Sequence, residues 1–486
     1  MKVVIVASEL SPFAKTGGLA DVTGSLPMEI QALGHEVVAF LPRYQGINLQ
    51  DRGFSVAIRK LPIPMGGFFE SADIYLYQGS SGVRLYFVEY PDFFCRDGLY
   101  GTPHGDYPDN DLRFIFFQRA VLDTLKVLKF KPDIIHCHDW QTGLIPVYLK
   151  SLYAKDTTFQ NTKTIFTVHN LAYQGNFPPD SFPTTGLGWE HFKLERLEFY
   201  GKFSFLKGGI VYSDAVTTVS PSYAREIQTK EYGCGLEGVL ERRKSSLFGV
   251  TNGIDYAVWN PETDPDLVAN YGLKNVENKL INKRELQKEN RLKVDPEIPF
   301  IGMVSRLVDQ KGIDILIAAF DEVMSMGIQF VLLGTGEERY HQLFRDIAKQ
   351  YRNQVGLHIV FDPKMAKRIY AGADVLLIPS LYEPCGLAQM IALRYGTIPL
   401  VRAVGGLSDT ISEFDPKTGK GNGFRFEDYT SRALVNALKR CLQVYSDKTT
   451  WKKVVQSGMA SDFSWRASAK KYVSLYEQTR RHEVSL

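Results

Sequence analysis

The chain is short of the features that mark most specialised classes of protein. Its five cysteines, Cys95, Cys137, Cys234, Cys385 and Cys441, are scattered with no C-x-x-C pair. That argues against a disulfide framework or a structural zinc site and fits a reducing cytoplasm. Long hydrophobic runs are missing: the first apolar stretch, Val3-Val4-Ile5-Val6-Ala7, meets Ser8-Glu9 at once, too short for a membrane span or a signal-peptide core. Neither sign of charge dominates, and a formal net charge of +3 gives no reason to expect nucleic acid or an anionic membrane as partner. No low-complexity segment or short-period repeat interrupts the sequence.

What the chain does have is length and alternation. At 486 residues it exceeds one ordinary hydrophobic core, so two domains are expected. An apolar run, a glycine loop, a helical stretch over 19–33 and a second apolar run over 36–41 make a βαβ unit. Further apolar runs at 133–137, 164–168 and 215–219, with a helical pattern over 111–130, predict a parallel doubly wound sheet. Antiparallel strands are expected as an insertion between 50 and 90. The rhythm breaks at Gly249-Val250-Thr251-Asn252-Gly253-Ile254-Asp255 and resumes past Pro299. Strands are then predicted at 300–305, 329–333, 358–361, 374–379 and 397–401, with helices at 313–326, 339–351, 366–372 and 387–395. The reading is α/β with two Rossmann-like domains, 1–250 and 251–464, and a terminal helix, 465–486, that packs back on the first.

Chemistry is expected on the loops that follow strands, where doubly wound domains bind ligands. Lys15-Thr16-Gly17-Gly18 precedes a helix, so its backbone N–H groups suit an anion and Lys15 adds a mobile cation. A tight turn with a solvated lysine is the plain alternative. The loop matches neither G-x-G-x-x-G nor a P-loop, which argues against NAD or ATP-hydrolysis chemistry. Arg306 and Lys311 bracket the corresponding loop of the second domain and suit phosphate oxygens, unless they are simply solvated. Gly334-Thr335-Gly336 adds a small-residue loop at the same sheet edge. Tyr382-Glu383-Pro384-Cys385-Gly386-Leu387 presents a carboxylate that either meets a sugar or supports a helix start electrostatically. His136-Cys137-His138-Asp139 ends one strand and His169-Asn170 the next. His136 and His138 share a face and either begin a metal site, or leave Asp139 and His169 to hydrogen bonding and His136 to the core. The aromatics from Tyr173 to Phe205 suit sugar stacking or core packing.

Together, Lys15-Thr16-Gly17-Gly18-Leu19-Ala20-Asp21-Val22, Thr167-Val168-His169-Asn170-Leu171-Ala172-Tyr173-Gln174-Gly175, Ser305-Arg306 with Gln310-Lys311-Gly312, and Glu383-Pro384-Cys385-Gly386-Leu387 closely resemble the bacterial glycogen synthase and plant starch synthase family over nearly the whole chain. The resemblance implies the GT-B architecture, with two Rossmann-like domains facing a deep cleft. It also implies retaining transfer of glucose from ADP-glucose to the non-reducing-end 4-hydroxyl of an α-1,4-glucan such as glycogen, starch or a maltooligosaccharide. No metal or other cofactor is implied. Carried over by position, Glu383, His169 and Asp139 are the catalytic-centre residues. The donor falls to Lys15, Gly17, Gly18, Asp21, Asn252, Arg306, Lys311, Gly334, Phe361, Tyr382, Cys385, Gly386 and Leu387, and the acceptor to Asn170 and Tyr173. Phe361 stands where some members have a tyrosine against the base, and Ala388 where some have threonine, so base preference is the least direct part of the comparison. Rival readings are UDP-glucose as donor, a sugar-nucleotide epimerase, and a silent glucan-binding protein of the same fold.

Overall fold

The computed structural model describes residues 1–79 and 82–481, so the end of the expected terminal helix, 482–486, lies outside the described residues. The chain divides into two compact units, Met1–Gly253 with the segment from Trp465, and Ile254–Ser464.

The first unit is built on nine strands: Lys2–Val6 (β1), Glu36–Pro42 (β2), Phe54–Met65 (β3), Phe68–Gln78 (β4), Arg84–Glu89 (β5), Ile134–His138 (β6), Lys163–Val168 (β7), Ala215–Thr218 (β8) and Leu247–Gly249 (β9). Their order in one sheet is β9-β8-β7-β6-β1-β2-β5-β4-β3. Val3, Val4, Ile5 and Val6 are wholly buried, as a strand covered on both faces must be. The 50–90 region is not a separate insertion. β5 pairs in parallel with β2, Val38 opposite Arg84, and β4 alone runs against the sheet, pairing antiparallel with β5 on one side and β3 on the other, so the region extends the main sheet. β3 carries Pro62 and Pro64, tolerated because an edge strand has a row of N–H positions with no ladder partner. Helices Gly18–Ala32 (α1) and Asn110–Val127 (α2) belong to this unit.

The second unit has six parallel strands: Phe300–Val304 (β10), Gln329–Leu333 (β11), Val355–His358 (β12), Val375–Ile378 (β13), Ile398–Arg402 (β14) and Phe424–Phe426 (β15), in the order β12-β11-β10-β13-β14-β15. β12 ends where the sequence pattern starts a strand. The run Ile359-Val360-Phe361 is apolar, but Val355 is the residue that opposes Phe330, and Val360 and Phe361 are exposed. The helix predicted over 313–326 is broken at Ala319 into Ile313–Ala318 and Phe320–Ser325. Helix Ala388–Arg394 (α3) follows the β13 loop. The last helix, Trp465–Arg480 (α4), packs on α1 in the first unit, where the Tyr476 hydroxyl reaches His136 Nδ1 at 2.7 Å. Among the described residues no helix is long and apolar enough to cross a membrane.

In each sheet the chain reverses its direction of travel beside the first strand. β1 has β2 on one flank and β6 on the other; β10 has β11 and β13. Loops leaving the carboxyl ends of such neighbours diverge, and the crevice between them is where this class of sheet binds ligands. In the first unit those loops carry Glu9, Lys15 and Asp139. In the second they carry Arg306, Lys311 and Glu383.

Candidate functional site

After β1 the backbone folds back over Glu9. Thr16 N and Gly17 N donate to Glu9 Oε2 at 2.6 and 3.1 Å, while Thr16 Oγ1 and the Tyr100 hydroxyl donate to Oε1 at 2.6 and 2.8 Å. Glu9 is 4% exposed. This corrects the expectation for the loop: two of the N–H groups assigned to an external anion hold an internal carboxylate, because donors turned inward must find an acceptor. Nor is Lys15 free, since its Nζ lies 2.6 Å from Asp21 Oδ1. That pair is partly exposed, and such pairs contribute only about 0–1 kcal/mol, so Lys15 can readily exchange partners. A Cβ added to Gly17 or Gly18 would meet nothing within 4 Å. Packing does not require these glycines, and they leave open space at the start of α1.

Asp139 follows β6 with φ +58° and ψ 179°, a conformation that costs a non-glycine residue about 1–3 kcal/mol. It is held there from both sides: Asp139 N donates to Thr167 O at 2.9 Å, and Asp139 Oδ1 accepts from His169 N at 2.7 Å. Burial raises the Asp139 pKa to about 7, with the Glu9 charge adding to the rise and the N–H groups of His169 and Asn170 opposing it. His136 is a satisfied core residue, with Nδ1 against Tyr476 and Nε2 2.6 Å from Thr167 Oγ1, which leaves it no lone pair for a metal. His138 packs against His136 with the rings tilted, stacks on His169, and contacts His169 Nε2 through Nδ1 at 2.9 Å. Asn170 is half-buried, its Oδ1 accepting from Ala172 N, and Tyr173 is exposed. Asn252 is buried, with Oδ1 lacking a hydrogen-bond partner.

In the second unit Gly312 has φ +68°, and a Cβ there would lie 2.0 Å from Pro379 O. Only glycine allows this crossing of the β10 and β13 loops. The crossing sets Lys311 Nζ 2.6 Å from Glu383 Oε2, which also accepts from Ser380 Oγ at 2.9 Å. Glu383 is 8% exposed. It is not in a first helical turn: α3 starts at Ala388, so Glu383 and Pro384 lie in an irregular loop and the helix-start reading fails. Gln389 Nε2 fixes that loop by donating to the carbonyls of Cys385 and Gly386, both at 3.0 Å, and Gly406 N donates to Glu383 O at 3.0 Å. A small pocket of about 60 Å³ brings together Lys311, Ser380, Glu383, Gly386 and Leu387. Arg306, Gly334, Phe361, Tyr382 and Cys385 are not in its lining. Arg306 is exposed beside Gln310, Cys385 is buried, and Tyr382 O accepts from Gln310 Nε2. Gly334 serves close approach, since a Cβ there would lie 1.9 Å from Ser305 O. Glu9, Ser380 and Gln389 escape sequence reasoning, because none belongs to a spaced motif of its own and each is defined by what it touches, while His138 is legible only as half of an H-x-H pair and its contact with His169 is not.

Two outcomes follow from this geometry. Glu9→Gln keeps the side-chain shape but puts an NH2 among four donors, and should cost about 2 kcal/mol of stability, read as a lower urea midpoint; an unchanged midpoint would show that the loop is held by other contacts. The pH dependence has a definite sign. Burial lowers the pKa of His136 and His169 to about 3 and that of His138 well below its usual value. Between these values and about 6.5 the unfolded chain binds more protons, so stability falls as pH falls from 6.5 toward 4.5. Asp139, raised to about 7, acts oppositely: folded, it keeps a proton that the unfolded chain releases near pH 4, so its contribution grows as pH falls through the same window. Asp139→Asn should therefore steepen the fall in urea midpoint on acidification, and a shallower fall would contradict the assignment.

Residues 2–242 match the family described as Starch synthase catalytic domain, and residues 283–455 the one described as Glycosyl transferases group 1. A curated glycogen synthase from Koribacter versatilis is 46% identical over 99% of both chains, and one from Geotalea daltonii 48% identical over 98% of both. The solved catalytic domain of starch synthase IV from Arabidopsis thaliana, bound to ADP and acarbose, matches with a TM-score of 0.89 at 35% identity over 99% of each chain. A sucrose-phosphate synthase from Thermosynechococcus elongatus, TM-score 0.62 at 18% identity, shares the fold. The chain belongs to the glycogen synthase and starch synthase family, glycosyltransferases of the GT-B fold.

Proposed function

We propose that this glycosyltransferase moves glucose from ADP-glucose, with retention at the anomeric carbon, to the non-reducing-end 4-hydroxyl of an α-1,4-glucan, releasing ADP in the cytoplasm without a metal or other cofactor. The observation that carries the reading is the Lys311–Glu383 pair at the switch point of the second unit, 2.6 Å apart and largely buried. Glycosyl transfer needs negative charge beside a sugar ring that turns cationic and positive charge beside the departing diphosphate. One loop crossing supplies both. An ammonium has three N–H donors, so Lys311 can hold Glu383 and a phosphate oxygen together. Lys15, Gly17, Gly18, Asp21 and Arg306 are assigned to the donor on the same reading, and Asn170 and Tyr173 to the glucan, with Tyr173 exposed for stacking. ADP as the nucleotide is supported by the starch synthase IV domain, which is bound to ADP and acarbose.

The reading is tested by incubating the protein with glycogen and either ADP-glucose or UDP-glucose, following released nucleotide and glucan chain length together. Equimolar ADP release and chain extension, faster than with UDP-glucose, is expected; nucleotide release without extension, or a preference for UDP-glucose, would overturn it. Glu383→Ala should lower kcat by roughly 100-fold while changing the KM for ADP-glucose far less, because charge on the sugar develops in the transition state. A weakened KM with normal kcat would place Glu383 in ground-state binding instead.

A further inference from the structure

The proposed chemistry leaves His138 without a task, although the residue is fully enclosed and sits one strand from the centre. Its Nδ1 is 2.9 Å from His169 Nε2, and its Nε2 is sealed from solvent with no hydrogen-bond partner. One nitrogen of the 2.9 Å contact must donate and the other accept. If His138 accepted, its own proton would sit on Nε2, a buried N–H with no acceptor, which is rarer in folded proteins than an under-used acceptor. If His138 donates from Nδ1, the atom without a partner is a bare lone pair. The same choice forces His169 to accept at Nε2 and so to carry its proton on Nδ1.

We infer that His138 is a positioning residue that locks His169 in its Nδ1–H tautomer, so that His169 offers a neutral hydrogen-bond donor to a hydroxyl oxygen of the transferred sugar. Three further features fit. The His169 backbone is held by its N–H on Asp139 Oδ1, and its ring stacks on His138 at 5.2 Å between centroids. The ring is half-buried, and its Nδ1 makes no hydrogen bond among the described residues. His136 backs His138 at 4.1 Å between ring centroids and is itself pinned by Tyr476 and Thr167, so the donating ring is fixed from behind. Burial keeps all three rings neutral at working pH. A ring in the other tautomer would present a lone pair to the sugar and could not replace the donor.

The sugar-facing part of this inference rests on the proposed glucosyl transfer, with His169 at the catalytic centre as the family resemblance implies; the tautomer does not. In protein labelled with 15N in the imidazole rings, with the His169 signals identified by their loss in His169→Gln, His169 Nδ1 should show the protonated shift and Nε2 the unprotonated one. The reverse pattern would overturn the inference without any variant at His138. His138→Phe keeps the ring volume and removes the donor. It should shift His169 toward the Nε2–H form and lower kcat about 10- to 100-fold with little change in the KM for ADP-glucose, the size seen when a supporting partner of a functional histidine is lost. His138→Asn restores an N–H near the Nδ1 position and should recover most of that loss. If His138→Phe is folded by its urea midpoint and its kcat is unchanged, or if His138→Asn fares no better than His138→Phe, His138 does not position His169. If His169→Gln itself leaves kcat intact while the 15N pattern is as expected, the sugar-binding role of His169 fails and the tautomer assignment stands.

Discussion

The central strands of both sheets are sealed on their two faces, and that constraint decides where the reactive groups can be. Val3 to Val6 in the first unit and Phe330 to Leu332 in the second have no exposed surface, so a side chain pointing off a strand flank meets a helix and never a solute. Reactive groups are confined to the loops at one sheet edge. Irregular loops, however, do not satisfy their own backbone groups, and those groups need acceptors from elsewhere.

Three buried carboxylates tie the functional loops to their neighbours, Glu9 and Asp139 by accepting from backbone N–H groups and Glu383 by accepting from side chains. Glu9 gathers Thr16, Gly17 and Tyr100; Asp139 takes the His169 N–H from the adjacent strand end; Glu383 joins Lys311 and Ser380 across the central pair of the second sheet. Desolvating a carboxylate is costly, and its partners offset that cost only when the geometry is good. The consequence is visible in Asp139, which stays in a strained backbone conformation and has its pKa raised to about 7.

The same reasoning separates what the sequence made legible from what it did not. Apolar runs such as Phe330-Val331-Leu332-Leu333 are legible because a strand buried on both faces is apolar along most of its length, and the loops after them could be placed before their contacts were known. β3 lies within the region expected to hold antiparallel strands, but its bounds are not legible because its two prolines and its register shifts break the alternation. β12 was placed too late because hydrophobicity alone cannot tell a paired residue such as Val355 from an exposed one such as Val360. At the site, Lys15, Lys311, Glu383 and His169 stood out through their position after strands. Glu9 did not, since an isolated acidic residue takes its meaning from donors on a loop that has yet to fold over it.

This difference has a physical origin. A group that acts on a ligand must project from a loop, and position after a strand is written in the pattern of the chain. A group that holds the loop must be enclosed, and enclosure is a property of the assembled fold. Ion pairs as buried as Lys311 with Glu383 add little net stability, because desolvation consumes most of their attraction. What they do is select one arrangement, since any other leaves a charge unpaired in a water-poor environment. For Glu383 that selection sets the distance between a carboxylate and an ammonium to 2.6 Å. The residues that supply precision are therefore the ones that composition and spacing are least able to reveal.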